Sequence, residues 1–146
     1  MNHESDTAAR EPNRPAILIA DDDQTTQILM RAMFERLGCS VDTVGDGRAA
    51  VQAALSSRYD LILMDVTMPC MPGDEAVRRI RHDEQRRGCR RTPIVALSGH
   101  AQPEAREALR AAGVDDYMAK PVQRVLLEAL LDRYRDGPGH QSCAGG

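Results

Sequence analysis

Five short runs rich in aliphatic and β-branched residues recur along the chain: Ala16–Ala20 (AILIA), Ser40–Val44 (SVDTV), Leu61–Met64 (LILM), Ile94–Leu97 (IVAL) and Asp116–Ala119 (DYMA). Their length and flanking turn residues predict strands. Each is followed by a stretch with helical spacing or helical end signals. Ile28, Leu29, Ala32, Met33 and Leu37 predict one face of a helix that Gly38 stops, and Asp46-Gly47 precedes a second helix running to about Ser56. A third helix opens at Gly73 or Asp74, a fourth carries Pro103 in its first turn and ends at Gly113, and Val122, Leu126, Ala129 and Leu130 stripe a fifth. The third to fifth strands are almost continuously apolar, as parallel strands covered on both faces are. Alternation of strand and helix therefore predicts an α/β chain: a five-stranded parallel sheet, doubly wound, with helices on both faces.

The 146 residues suit one folded unit with a single core. Residues 1–14 and 136–146 are polar or Pro/Gly-rich and are expected to be flexible tails around a domain at residues 15–135. Nineteen basic and 22 acidic residues leave a net charge of −3, and neither tail carries a basic block able to track a phosphate backbone, so no direct nucleic-acid partner is expected. The apolar runs fall far short of the ~20 residues a bilayer span needs, and Met1 to Pro15 lacks the apolar centre of a signal peptide. A cytoplasmic location without membrane contact follows as the expectation. Cys39, Cys70, Cys89 and Cys143 lack zinc-ligand spacing and are read as reduced thiols.

Chemistry concentrates where strands end. In open parallel sheets the working site lies beyond the carboxyl ends of the strands, near the point where strand order reverses. Asp65 stands there, closing "YDLILMD" ahead of the loop "VTMPCMPG". Asp21, Asp22 and Asp23 follow the first strand, Ser98 and Gly99 the fourth and Lys120 the fifth. If the first, third, fourth and fifth strands are neighbours, one edge collects several carboxylates, a hydroxyl and an ammonium. Clustered carboxylates repel, so a cation must share the site or some pKa values must rise. Oxygen ligands from Asp22 and Asp65, with a loop carbonyl, suit Mg²⁺, which keeps few protein ligands and favours an oxyanion partner. Lys120, Ser98 and loop amides would clamp the oxygens of a phosphoryl group, and a carboxylate so placed can act as its nucleophile.

These segments, "ILIADDD", "DLILMDVTMP", "IVALSGHA" and "DDYMAKP", resemble the receiver domains of two-component response regulators over roughly Ala16 to Tyr134. The resemblance implies a flavodoxin-like (βα)5 fold and a switch driven by Mg²⁺-dependent phosphotransfer from a histidine kinase or histidine phosphotransfer protein, with Mn²⁺ as an alternative occupant. It implies Asp65 as phosphoacceptor and Asp22 as direct metal ligand. Asp21 would act on the metal through water, and Thr67 through its backbone carbonyl. It further implies Ser98 and Tyr117 as switch residues, Gly99 as the small residue behind Ser98, Lys120 as phosphate-binding lysine and a cis Lys120–Pro121 bond. The output would be a surface change on the fourth helix, fifth strand and fifth helix, read by a downstream protein effector. "IVALSGHA" and "DDYMAKPV" are similar to receivers attached to hybrid sensor kinases. The chain then accepts phosphate and slowly loses it rather than turning over a substrate, and kinase activity would belong to it only as a fragment of a hybrid kinase. With no effector domain after Tyr134, output through protein contact or excision from a longer kinase are the two expectations.

Other readings divide on particular residues. A phosphatase of the haloacid dehalogenase type needs a second carboxylate two residues after the nucleophile, where this chain has Thr67. A flavin carrier of this sheet order needs a phosphate-binding loop after the first strand, where three aspartates would repel phosphate. A pure docking module would be marked by loss of the acidic pair, the acceptor or the lysine, and all are retained. Asp23 is read as a helix N-cap, and Asp46, Asp115 and Asp116 as caps and turn residues. His100, two residues after Ser98, is placed at the mouth of the site, flanking the incoming phosphoryl group or pointing to solvent.

Overall fold

The computed structural model describes residues 14–99 and 103–135; both expected tails except Arg14, and His100 with them, lie outside these. Within them run β1 (Ala16–Ala20), α1 (Gln24–Arg36), β2 (Ser40–Val44), α2 (Gly47–Ser56), β3 (Leu61–Asp65), α3 (Gly73–Arg87), β4 (Ile94–Ser98), α4 (Pro103–Ala112), β5 (Asp116–Ala119) and α5 (Arg124–Arg135). The strands form one sheet in the order β2-β1-β3-β4-β5, with every pairing parallel. Strand order reverses between β1 and β3, and β1, β3 and β4 are buried along their whole length. β3 and β4 each extend one residue past the predicted apolar run, to take in Asp65 and Ser98.

Because successive strand side chains alternate between faces, the sheet feeds two cores. Leu18, Ile62, Met64, Ile94 and Ala96 pack with Ala50 of α2, Ala76, Val77 and Ile80 of α3, and Leu109 and Ala112 of α4. Ile17, Ile19, Leu61, Leu63, Val95 and Leu97 pack with Met30 and Phe34 of α1 and Leu127, Leu130 and Leu131 of α5. Asp65 shares the parity of this second set.

Two helical faces follow the prediction in part: Met33 on α1, Leu37 just after it and Leu130 on α5 pack against the core as expected, with Val122 just ahead of α5. On α1 the buried residues are Met30 and Phe34, whereas Ile28 is 69% and Leu29 48% exposed; Ala32 is exposed as well. On α5 the sheet is met by Leu127, Leu130 and Leu131, and Leu126 is 45% exposed, with Ala129 exposed too. Apolar residues occupy most of the circumference of both helices, so periodicity alone offers more than one candidate stripe. The predicted caps hold at Asp23, whose carboxylate accepts from Thr26 N, and at Asp46, which accepts from Ala49 N at 2.7 Å. Cys70 is an exposed free thiol, but Cys89 is disulfide-bonded, against the expectation of reduced cysteines; zinc-type spacing and composition carry no information on a pairing set by where the chain folds. No helix among the described residues is long and apolar enough to cross a membrane.

At the amino-terminal edge of the sheet, opposite Asp65, a buried Arg81 ties α3 to the starts of β4 and β5. Its guanidinium donates to Gly113 O at 2.9 Å, Thr92 O at 2.7 Å, Glu84 Oε1 at 2.8 Å and Asp115 Oδ2 at 2.7 Å. Both carboxylates also take backbone amides, Glu84 from Thr92 and Asp115 from Ile94, each at 2.8 Å. A buried charge so fully partnered is costly to remove singly, because its partners stay behind unpaired. Arg81→Met is expected to lower stability by about 3 kcal/mol in urea unfolding followed by circular dichroism; a loss below about 1 kcal/mol would show that water replaces the network.

Candidate functional site

Strand register brings the carboxylates together. Ala20 pairs with Met64, so Asp21, the next residue, emerges beside Asp65. Asp65 pairs with Leu97 and Ser98 with Ala119, so Ser98 and Lys120 each leave the sheet one step further along the same edge. One ligand oxygen from each of Asp21, Asp22 and Asp65 lies within 4.8 Å of the others. Asp21 is fully buried, Asp65 is 5% exposed and Ser98 8%, while Asp22 opens to solvent. Lys120 Nζ lies 2.8 Å from Asp21 Oδ2 and 3.2 Å from Asp65 Oδ2. The Lys120–Pro121 bond is cis, as the motif implied.

The loops around these side chains are tightly set. Asp21 Oδ1 accepts from Asp23 N at 2.9 Å, and Asp65 Oδ1 from Thr67 N at 3.3 Å. In the β3–α3 loop Met71 N donates to Pro69 O at 2.7 Å across Cys70, whose φ is +69°, a γ-turn of the uncommon positive-φ kind. Two glycines allow that loop to lie so close. A Cβ on Gly73 would fall 2.4 Å from Asp65 O, and one on Gly47 would fall 2.2 Å from Met71 O. Both are backbone contacts that no side chain can relieve, so the start of α3 and the start of α2 press on either end of the segment that carries Asp65 and Thr67. Sequence reading placed both glycines at helix starts without finding this role, which depends on approach between distant segments.

Tyr117 is half-buried on β5. Its hydroxyl donates to Arg106 O at 2.7 Å, and the Arg106 guanidinium carbon lies 5.3 Å from the ring centroid, so the side chain fastens β5 to α4. Gly99 is exposed, with open space where a Cβ would be. Asp23 caps α1 as read: Thr26 donates to it from both amide and hydroxyl, at 3.0 and 2.6 Å, and these bonds hold its pKa below the usual carboxylate value. The placement expected for His100 lies outside the described residues.

Three carboxylates face one ammonium, which leaves two negative charges uncompensated. Burial raises the pKa of Asp65, Asp21 adds to the effect, and the Thr67 amide and Lys120 only partly offset them. For Lys120 burial disfavours the charged form, but the bond to Asp21 and the charges of Asp65 and Asp21 outweigh it and hold the pKa above the ordinary lysine value. Asp21 Oδ2 is buried with the Lys120 ammonium 2.8 Å away as its partner. An all-oxygen donor set with net negative charge fits a hard divalent cation, and Mg²⁺ in particular.

The raised pKa of Asp65 gives a pH dependence. The folded state holds its proton to higher pH than the unfolded chain, so the stability from protonated Asp65 is complete below the unfolded value and is lost as pH rises through the folded one. Asp65→Asn stays neutral at every pH. In metal-free buffer the variant is expected to be the more stable protein at pH 7, with the difference closing as pH falls towards about 4. Denaturant melts across that range check this, and an Asn variant no more stable than wild type at pH 7 would contradict it.

Comparison with known proteins agrees with the site. The profile of the response regulator receiver domain matches residues 17–132. Sensor protein GacS of Pseudomonas syringae pv. syringae is 39% identical over 118 residues, covering 80% of this chain and 13% of that protein. The chain thus spans a small part of the curated relatives it matches. Among solved structures, the receiver domain of sensor histidine kinase PA1611 from Pseudomonas aeruginosa PAO1, with a magnesium ion in its active-site cleft, superposes with a TM-score of 0.76 at 38% identity, covering 85% of this chain and 99% of that one. A complex of the Saccharomyces cerevisiae histidine phosphotransfer protein Ypd1 with the receiver domain of Ssk1 gives a TM-score of 0.77 at 25% identity, covering 83% of this chain and 88% of that one. Parallel sheet order, clustered carboxylates, lysine and sequence match agree: the chain belongs to the response regulator receiver domains of two-component phosphorelays, in the group that resembles the receiver regions of sensor histidine kinases.

Proposed function

We propose that Asp65 is the phosphoacceptor of this receiver, that Asp21, Asp22, Asp65 and the Thr67 carbonyl hold Mg²⁺, and that Ser98, Lys120 and Tyr117 carry the switch. The observation that supports this most is Lys120 bridging Asp21 and Asp65 in a cluster with too few positive charges of its own. Mg²⁺, or Mn²⁺ in its place, would supply the charge that lets a phosphoryl dianion approach three carboxylates.

In the reaction an Asp65 carboxylate oxygen attacks the phosphorus of a phosphohistidine on a histidine kinase or histidine phosphotransfer protein. An O–P bond forms as the P–N bond breaks, and the imidazole nitrogen leaves with the electron pair. Lys120 turns from the Asp65 carboxylate to an oxygen of the transferred group, and the Ser98 hydroxyl, one strand over, donates to another. Gly99 leaves room behind Ser98. Movement at Ser98 passes along the β4–β5 edge to Tyr117, paired in register with Ala96, and from its hydroxyl to α4. A downstream protein effector reading α4, β5 and α5 is the output. Water reaching the same phosphorus ends the signal slowly, and the domain at residues 15–135 acts in the cytoplasm as acceptor and switch.

The exposed residues on α1 and α5 suit the donor. Ile28, Leu29, Val125 and Leu126 are 45–69% exposed on two helices that touch. They lie near the amino-terminal ends of these helices, which follow Asp23 and Lys120–Pro121. A helical phosphodonor laying an apolar face there would bring its phosphohistidine to Asp65.

Two experiments test these roles. With Mg²⁺ and phosphoramidate, intact mass should show phosphate on the wild type and none on Asp65→Asn; undiminished phosphate on the variant would remove Asp65 from the role. Ile28→Asp with Val125→Asp should slow transfer from a phosphorylated histidine phosphotransfer protein about tenfold or more, yet leave phosphorylation by phosphoramidate unchanged. Equal slowing with both donors would place the effect in the site and not in docking.

A further inference from the structure

Gln27 closes the first turn of α1, half-buried, behind the acidic loop. Its Nε2 donates to Asp21 O at 2.5 Å and to Val44 O at 3.0 Å. Both are carbonyls at the carboxyl ends of adjacent strands. Val44 O also takes the amide of Asp21 at 3.0 Å, so one carbonyl of β2 and one carboxamide enclose the backbone of Asp21 from both sides. Asp21 N, Asp21 O and Asp21 Oδ1, which takes Asp23 N, are thereby all committed, and the remaining oxygen, Oδ2, faces Lys120. The orientation of the carboxamide is fixed by its surroundings: both neighbours are acceptors, and only the NH₂ end offers two donors. A Cβ on Gly45 would lie 4.0 Å from Nε2, in ordinary contact, so the clip is closely surrounded without being crowded.

We infer that Gln27 is a positioning residue for the metal site: by clipping Asp21 O to Val44 O it holds the acidic loop, and with it Asp21 and Asp22, in the arrangement that accepts a divalent cation. This rests on the Mg²⁺ reading of the Asp21–Asp22–Asp65 cluster. Groups that orient metal ligands from behind commonly change metal affinity by about 10- to 100-fold when lost, and Gln27 acts on the main chain of a ligand loop where its own side chain reaches no ligand oxygen. A through-space effect of the side chain has the opposite sign for one substitution, which separates the two. Gln27→Glu adds a negative charge near the cation and so should tighten binding if charge alone matters. It also replaces two donors by acceptors facing two carbonyls, and so should loosen the loop if positioning matters.

The experiment is Mg²⁺ titration by isothermal calorimetry near pH 7 on wild type, Gln27→Met, Gln27→Glu and Tyr59→Phe, at a temperature where each is folded by circular dichroism. Tyr59→Phe removes a bond to Asp42 of 2.7 Å away from the carboxylates and reports what general destabilisation does. The expected result is Mg²⁺ binding weakened about tenfold or more in both Gln27 variants, with Tyr59→Phe within about twofold of wild type. Gln27→Met within about twofold of wild type, or tighter binding by Gln27→Glu, overturns the inference. Should the Gln27 variants not fold, NMR of the wild type decides: the Gln27 carboxamide protons should shift along the Mg²⁺ titration in step with the Asp23 amide, and carboxamide signals that stay still overturn it. Wild-type protein that does not bind Mg²⁺ would instead fail the metal reading beneath it.

Discussion

Carboxylate repulsion at the ends of β1 and β3 is the constraint around which the domain is arranged. Asp21 and Asp65 are buried beside each other with Asp22 close by, and a single lysine from β5 spans two of them. Left in a low-dielectric edge, such a cluster must protonate, recruit a cation or come apart. The fold prevents the last: parallel register fixes where each strand releases its acid, and the close contacts of Gly47 and Gly73 hold the connecting loop. It leaves open the first two, and the response of the site to protons, metal and phosphate all follows from which is taken.

That arrangement also explains how a local event can reach a surface. Lys120 is the residue common to both buried acids, and it extends from the strand that carries Tyr117. Tyr117 is bonded by its hydroxyl to α4 and shares a strand pair with the segment ending in Ser98. A new anion on Asp65 would compete for the lysine and the serine together, and both lead to the same strand. On the opposite edge the Arg81 network ties α3 to the starts of β4 and β5, so these strands are anchored at the end away from the carboxylates.

The sheet and its site were legible in the sequence because both are written in short-range pattern. Apolar runs bounded by turns gave the strands, and a residue one step beyond a strand end must fall on the active edge whatever packs around it; Asp21, Asp65, Ser98 and Lys120 therefore came together as anticipated. The covered faces of α1 and α5 were legible only in part: Met33, Leu37, Val122 and Leu130 pack as expected, whereas Ile28, Leu29 and Leu126 do not. Ile28 and Leu29 adjoin Met30, and Leu126 adjoins Leu127, so a buried apolar stripe and an exposed one run side by side, and only the three-dimensional packing separates them. Gln27, Gly47, Gly73 and Arg81 were missed for a different reason: each acts through contact with a segment distant in sequence, with no local signal. The disulfide state of Cys89 belongs to the same class.

The site holds excess negative charge that a cation can neutralise, and the ionisation of Asp65 reports it directly. Asp65 can be followed by its side-chain carboxyl carbon in NMR pH titrations, without divalent metal and with saturating Mg²⁺. A pKa above the ordinary aspartate value is expected without metal, with a clear fall when Mg²⁺ is present. Titration at the ordinary value, unchanged by Mg²⁺, would contradict it.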